Sequence, residues 1–216
     1  MVEGHSTDDT LGILMDWLRT KQDWMLFKHN ISETYNPRQR MFLSSNLYHQ
    51  VFIRDHPGYQ SCTYIFKCDC DIEYIPPETL GTLIELDVDI VAPYTYISTE
   101  DTPDNPWRHR KQFYDTWGYR HLYGPHPGYQ RQPQIHEYYS RNLTRDKTIQ
   151  ADTVKRLLPM QSVGANPVLV KRKVLKKVEY DGRNAMPGFI RRAVAEGFKA
   201  WAYPDIECIH TWKSIK

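Results

Sequence analysis

Two aspartates separated by one residue, Asp69-Cys70-Asp71, follow directly on the β-branched and aromatic run Thr63-Tyr64-Ile65-Phe66-Lys67-Cys68. In extended chain, residues i and i+2 point to the same side, so both carboxylates are offered together. Oxygen donors in that arrangement suit a hard divalent cation, one that also grips a diphosphate. A second such triplet, Asp87-Val88-Asp89, flanks the start of a strand-like run instead of closing one, and reads as a solvated turn. Cys68, Cys70, Cys208 and His210 form another candidate set, since zinc accepts thiols and an imidazole. Their C-x-C and C-x-H spacing is unusual for zinc, and alternation sets Cys68 and Cys70 opposite the two aspartates. Cysteines packing as small apolar groups are the simpler account.

The elements that must position these residues alternate. Ser6 or Thr7 caps a helix carrying Leu11, Leu14, Met15 and Leu18, with Asp8 and Asp9 in its first turn. Trp24-Met25-Leu26-Phe27 has strand length, and Asn36-Pro37 reads as the cap and first position of a helix with Leu43, Leu47, Tyr48, Val51 and Phe52. After the strand that ends in the acids, Pro77 opens a helix with Leu80, Leu83 and Ile84 on one face. Val88-Asp89-Ile90-Val91-Ala92 is then a strand stopped by Pro93. This order predicts an α/β fold with a parallel sheet, and the first acid pair sits at a strand's carboxyl end, where such sheets bind ligands.

Residues 94–161 lose periodicity and are rich in Tyr, Pro, Arg, His and Asp, which is long for an idle connection and fits a segment that binds something. His-Pro-Gly-Tyr-Gln occurs at His56 to Gln60 and again at His126 to Gln130, as coincident turn chemistry. Regular structure returns with Pro167-Val168-Leu169-Val170, a helix through Ile190, Ala193 and Val194 ended by Gly197, and a strand from Asp205 to His210.

Composition narrows the function. Lys and Arg total 28 against 26 for Asp and Glu, too balanced for a chain that mainly neutralises phosphate backbones. The basic runs Trp107-Arg108-His109-Arg110-Lys111 and Lys171-Arg172-Lys173 with Lys176 and Lys177 remain as a rival nucleic-acid surface. There is no membrane-span-length apolar stretch and no signal-peptide pattern at Met1, and four cysteines do not make a secreted disulfide framework, so the cytoplasm is the expected compartment. The sequons at Asn30 and Asn142 have meaning only if a longer amino terminus carries a signal anchor into the Golgi lumen.

Taken in order, Glu3-Gly4-His5-Ser6-Thr7-Asp8-Asp9-Thr10, the strand ending in Asp69-Cys70-Asp71 with Ile72 to Leu80, and Asp89 to Pro93 resemble the glycosyltransferases of GT-A fold. Phe113-Tyr114-Asp115-Thr116-Trp117 with Arg120, Ser162 to Asn166, and Glu196 to Trp201 closing on Pro204-Asp205 and His210 extend the likeness over nearly the whole chain. The resemblance implies a single Rossmann-like domain with a mostly parallel sheet and helices on both faces. Residues 1–93 would form its nucleotide-binding half, 94–161 an acceptor or lid region, and 162–216 the part completing the site. It implies transfer of a sugar from a UDP- or GDP-linked donor to a carbohydrate or glycan acceptor hydroxyl. Asp69, Asp71 and His210 would hold Mn²⁺ or Mg²⁺, and Glu3, Asp8, Asn46 and Asp69 would face the nucleotide.

Two departures from that pattern stand out. Where inverting members carry an acidic pair, this chain reads Ala185-Met186-Pro187-Gly188-Phe189, so Glu179, Asp181 and Asp115 are the candidate bases, with the donor phosphate as base in a retaining enzyme as the alternative. The chain also starts after the position of the family's first strand and helix, from which instability or inactivity of these residues alone is expected. A degenerate, non-catalytic domain with a structural Cys/His zinc site is the alternative from another class.

Overall fold

The computed structural model describes residues 2–3, 8–21, 26–28, 31–32, 34–36, 39–40, 43–44, 61–69, 72–98, 112–113, 119–121, 156–164, 167–180 and 185–211. The chain falls into two compact units, Met1–Ser61 with Tyr180–Ala185, and Cys62–Glu179 with Met186–Lys216. Among the described residues no helix is long and apolar enough to cross a membrane.

In the first unit, strand β1 (Val2–Glu3) lies parallel to β2 (Phe27–Lys28), and helix α1 (Thr10–Leu18) makes the crossover between them. Leu18 is buried and Leu11, Leu14 and Met15 are half-buried, the stripe that the periodicity predicts. The helix start differs from expectation. Asp9 is the N-cap, without a side-chain cap bond, and Asp8 Oδ1 accepts from Thr10 N–H at 3.0 Å, so the acids precede the helix. Ser6 and Thr7 lie outside the described residues. The Asn36 start is built as expected: Gln39 N–H donates to Asn36 Oδ1 at 2.9 Å and Asn36 N–H donates to Gln39 Oε1 at 3.0 Å, a reciprocal capping box.

The second unit is built on an eight-stranded sheet. Its strands are β3 (Tyr64–Lys67), β4 (Ile72–Tyr74), β5 (Ile90–Ser98), β6 (Gln112–Phe113), β7 (Arg120–His121), β8 (Leu158–Ser162), β9 (Val168–Lys171) and β10 (Ala200–Thr211). The path runs β3-β9-β5-β10-β8-β7, with β4 joined to β10 and β6 to β5. This corrects the expected mostly parallel sheet. Among the described residues of this sheet only β5 and β10 pair in parallel, and β9 slips between β3 and β5 antiparallel to both. Val168, Leu169 and Val170 are all buried, and a strand buried on both faces carries no alternation that signals direction. β3, β5 and β10 therefore run one way, with their carboxyl ends on one edge.

Strand β5 also overrides the expected stop at Pro93 and continues to Ser98. β9 pairs only with Ile90 and Val91, β6 with Tyr96 and Ile97, and opposite Pro93 the register of β10 breaks between Tyr203 and Glu207. Proline is tolerated in strands at such irregularities. Pro204, Asp205 and Ile206 form the bulge, and Arg156 holds Asp205 at 3.1 Å. Tyr119 is buried, donates its hydroxyl proton to the Pro93 carbonyl, and meets Tyr94 edge-on at 5.9 Å. The segment read as aperiodic from residue 94 thus begins as strand, through Ser98.

Three further helices are seen among the described residues of this unit: α2 (Thr79–Glu85), α3 (Arg172–Lys177) and α4 (Ala185–Ala195), whose first residue belongs to the other unit. Thr79, Leu83 and Leu86 are the buried stripe of α2, whereas Leu80 and Ile84 are exposed, contrary to the expected face. Leu83 and Leu86 join Val91, Leu157 and Leu169 in a core lined by Tyr64, Phe66, Val88, Trp201 and Tyr203. Each buried leucine contributes about 1.5–3 kcal/mol relative to exposure. In α4, Met186, Phe189, Ile190 and Ala193 are buried at helical spacing. The helix closes with Phe198 N–H on the Ala193 carbonyl and Gly197 N–H on Val194, both 3.0 Å, with Gly197 at φ +90°. That cap turns the chain into β10.

Candidate functional site

Asp69 lies two residues past the carboxyl end of β3 and is half-buried. Its carboxylate Oδ1 is ion-paired with the Lys67 ammonium. Cys68, between them, is exposed, and its thiol donates to the Asp69 carbonyl at 3.3 Å. Because Cys68 lies beyond the last paired residue, the alternation expected to set it apart from the acids does not govern it.

His210 is buried, 6% exposed, near the carboxyl end of β10. β10 changes neighbours along its length: Ala200 to Ala202 face β8, whereas Ile209 faces Tyr74 and His210 faces Ile72 in the antiparallel pairing with β4. Ile72 directly follows Asp71 in the chain. The three residues from Asp69 to Ile72 span at most about 11 Å, and paired Cα atoms stand about 5 Å apart. Asp69 and His210 are therefore tethered to one edge of the sheet, the edge of the strands' carboxyl ends.

Carboxylate oxygen and imidazole nitrogen on one edge are a donor set that fits Mn²⁺ or Mg²⁺. Among the described residues, no three His, Cys, Asp or Glu side chains come together as a metal group. Asp71 and Cys70 lie outside the described residues, as do Asn46, Asp115 and Asp181. Glu179 is exposed, and its carbonyl accepts from Arg192 Nη2 at 3.1 Å. Glu3 belongs to β1 and Asp8 to the approach to α1, both in the first unit, so each is described apart from Asp69 and His210. Asp8 is exposed, and its hydrogen bonds with Thr10 hold its carboxyl below the usual aspartate value.

Cys208 is fully buried one turn of the pleat before His210, and burial, reinforced by the charge of Cys68, pushes its thiol up to about 12. The charge of Cys68 is felt at Cys208, but among the described residues these thiols and His210 do not come together as a metal group.

The second acid pair lies in a turn as expected, with Asp87 exposed, but both carboxylates are engaged and Asp89 is largely covered. Asp87 adopts φ 52°, where aspartate is better tolerated than most residues, and accepts from the Tyr64 hydroxyl at 2.6 Å and from Lys171 at 2.7 Å. Asp89 pairs with Lys173 at 2.6 Å and accepts from Lys199 N–H at 3.2 Å. Together they tie β3, β9, α3 and the start of β10 at the edge opposite Asp69. Lys171 and Lys173 are thereby engaged, and Arg172 between them is buried, so this basic run is not a row of free cations. Lys67 is the residue that sequence reasoning missed, although its i, i+2 spacing to Asp69 was the available signal.

No protein-family model and no curated protein matches the chain. Among solved structures the chain is similar to A197 from STIV, at 9% identity and a TM-score of 0.44, over 98% of this chain and 83% of that one. A likeness of that size carries no weight for fold or function.

Proposed function

We propose that the chain is a nucleotide-sugar-dependent glycosyltransferase. It transfers a sugar from a UDP- or GDP-linked donor to a hydroxyl of a carbohydrate or glycan acceptor, with Mn²⁺ or Mg²⁺ at Asp69, Asp71 and His210, and it works in the cytoplasm. The observation that supports this reading is the convergence of the strand bearing Asp69 and the strand bearing His210 on one sheet edge, joined through the pairing of Ile72 with His210. When bound, the cation supplies positive charge against the negative charge that grows on the β-phosphate of the leaving group. Asp69 and His210 orient the diphosphate end of the donor, and burial of His210 fixes its ring. Glu179, Asp181 or Asp115 takes the acceptor hydroxyl proton, or the departing phosphate does so with retention of configuration.

The test is release of UDP or GDP from a panel of nucleotide sugars in the presence of Mn²⁺. Release that Asp71→Ala abolishes supports the reading, and release unaffected by that substitution refutes the site. A second reading, a structural zinc site, draws on Cys208 and His210 sharing β10 and on the electrostatic influence of Cys68 on the Cys208 thiol. Stoichiometric zinc in purified protein would favour it.

A further inference from the structure

Lys67 is the last residue of β3, and its side chain is only 15% exposed, while that of Asp69 is 42% exposed. The ammonium is thus held at the sheet end with its charge directed onto the carboxylate that, on the donor-site reading above, belongs to the metal. One carboxylate oxygen shared between an ammonium and a divalent cation serves both poorly, because the two positive charges repel at that range. An ammonium on a four-carbon stem is mobile and is a good partner for phosphate oxygens.

We propose that Lys67 is the resident counter-cation of Asp69, displaced onto the donor diphosphate when nucleotide binds, so that metal and nucleotide bind as a coupled pair. Metal alone meets a neutralised carboxylate and binds weakly. The diphosphate draws the ammonium away and releases Asp69 to the cation, and by linkage the cation strengthens nucleotide binding by the same factor. Lys67 is a positioning residue in this account, acting through Asp69 and the phosphate.

The experiment is calorimetric titration of Mn²⁺ alone into the wild type, Lys67→Met, Asp69→Asn and the double variant, with folding checked by circular dichroism. Lys67→Met is expected to tighten Mn²⁺ binding about three- to tenfold, the range of a partly exposed ion pair. In the Asp69→Asn background the same change has no effect. Lys67→Arg keeps the charge and stays within about twofold of wild type, and Lys67→Gln replaces the Met variant if that one unfolds. Unchanged or weaker Mn²⁺ binding in the charge-removed variant overturns the proposal, as does an equal gain in the Asp69→Asn background. Titrations of UDP and GDP then decide the donor reading separately: the enhancement of Mn²⁺ affinity by nucleotide is expected in wild type and is smaller in Lys67→Met. A folded wild type that binds neither nucleotide removes the donor reading, while the Mn²⁺ cycle still reads the Lys67–Asp69 competition.

Discussion

His210 of β10 stands opposite Ile72 of β4, the residue that follows Asp71, and on its other side it is in register with Ile97 of β5. A histidine buried at the end of a long strand is thereby joined to the D-x-D segment through one antiparallel pairing. Replacing it with glutamine keeps a polar side chain of similar size and removes the imidazole donor. On the proposed reading, His210→Gln is expected to weaken Mn²⁺-dependent nucleotide binding by at least about 10- to 100-fold, the range that loss of even an outer-shell partner costs. Binding within twofold of wild type, measured by calorimetry on folded protein, would place His210 outside the site.

On the proposed reading the two acid pairs have different roles, so their variants should separate. Asp89→Ala removes the acceptor for Lys199 N–H and the partner of Lys173, and is expected to cost about 1–2 kcal/mol in urea unfolding without altering nucleotide binding. Asp69→Asn retains an oxygen for Lys67, costs less stability, and lowers metal-dependent binding. Equal effects of both variants on binding would contradict the assignment.

How far the sequence carried this distinction is visible in the same residues. The strand before Asp69, the Asn36 cap, the helix through Ile190 and Ala193 and the Gly197 cap are local patterns, and each is realised where its spacing indicated. Partners distant in sequence were not legible: Tyr64 meets Asp87, and Lys199 meets Asp89, through pairings that no local periodicity encodes. The direction of β9 was hidden because its residues are buried on both faces. Pro93 misled because its tolerance depends on a bulge in β10, a strand more than a hundred residues downstream.

Tyr64 carries a pH signature. Its hydrogen bond to Asp87, with a smaller contribution from burial, raises the phenol to about 12 from its ordinary value of 10.0. The folded state holds this proton to higher pH than the unfolded chain does. The contribution is therefore complete below pH 10 and fades as pH climbs through about 12. Tyr64→Phe is expected to lower stability by about 1 kcal/mol at pH 8, discounted for partial exposure, and the gap should narrow in urea melts above pH 10. A gap that widens with pH would contradict the assignment.

Cys208 should resist alkylation. With its thiol pushed up to about 12 by burial, the thiolate is scarce at pH 8, whereas Cys68 is exposed. Peptide mass spectrometry after iodoacetamide treatment is expected to show Cys68 modified at least about 100-fold faster than Cys208 in folded protein. Comparable rates would mean that this end of β10 opens in solution.

The decisive measurement is calorimetric titration of UDP and GDP into the chain with and without Mn²⁺, repeated on Asp69→Asn and Asp71→Ala. The account predicts that one nucleotide binds only with the cation and that each substitution abolishes or greatly weakens that binding. Folded protein that binds neither nucleotide, or binds one equally well without Mn²⁺ and in both variants, would contradict it.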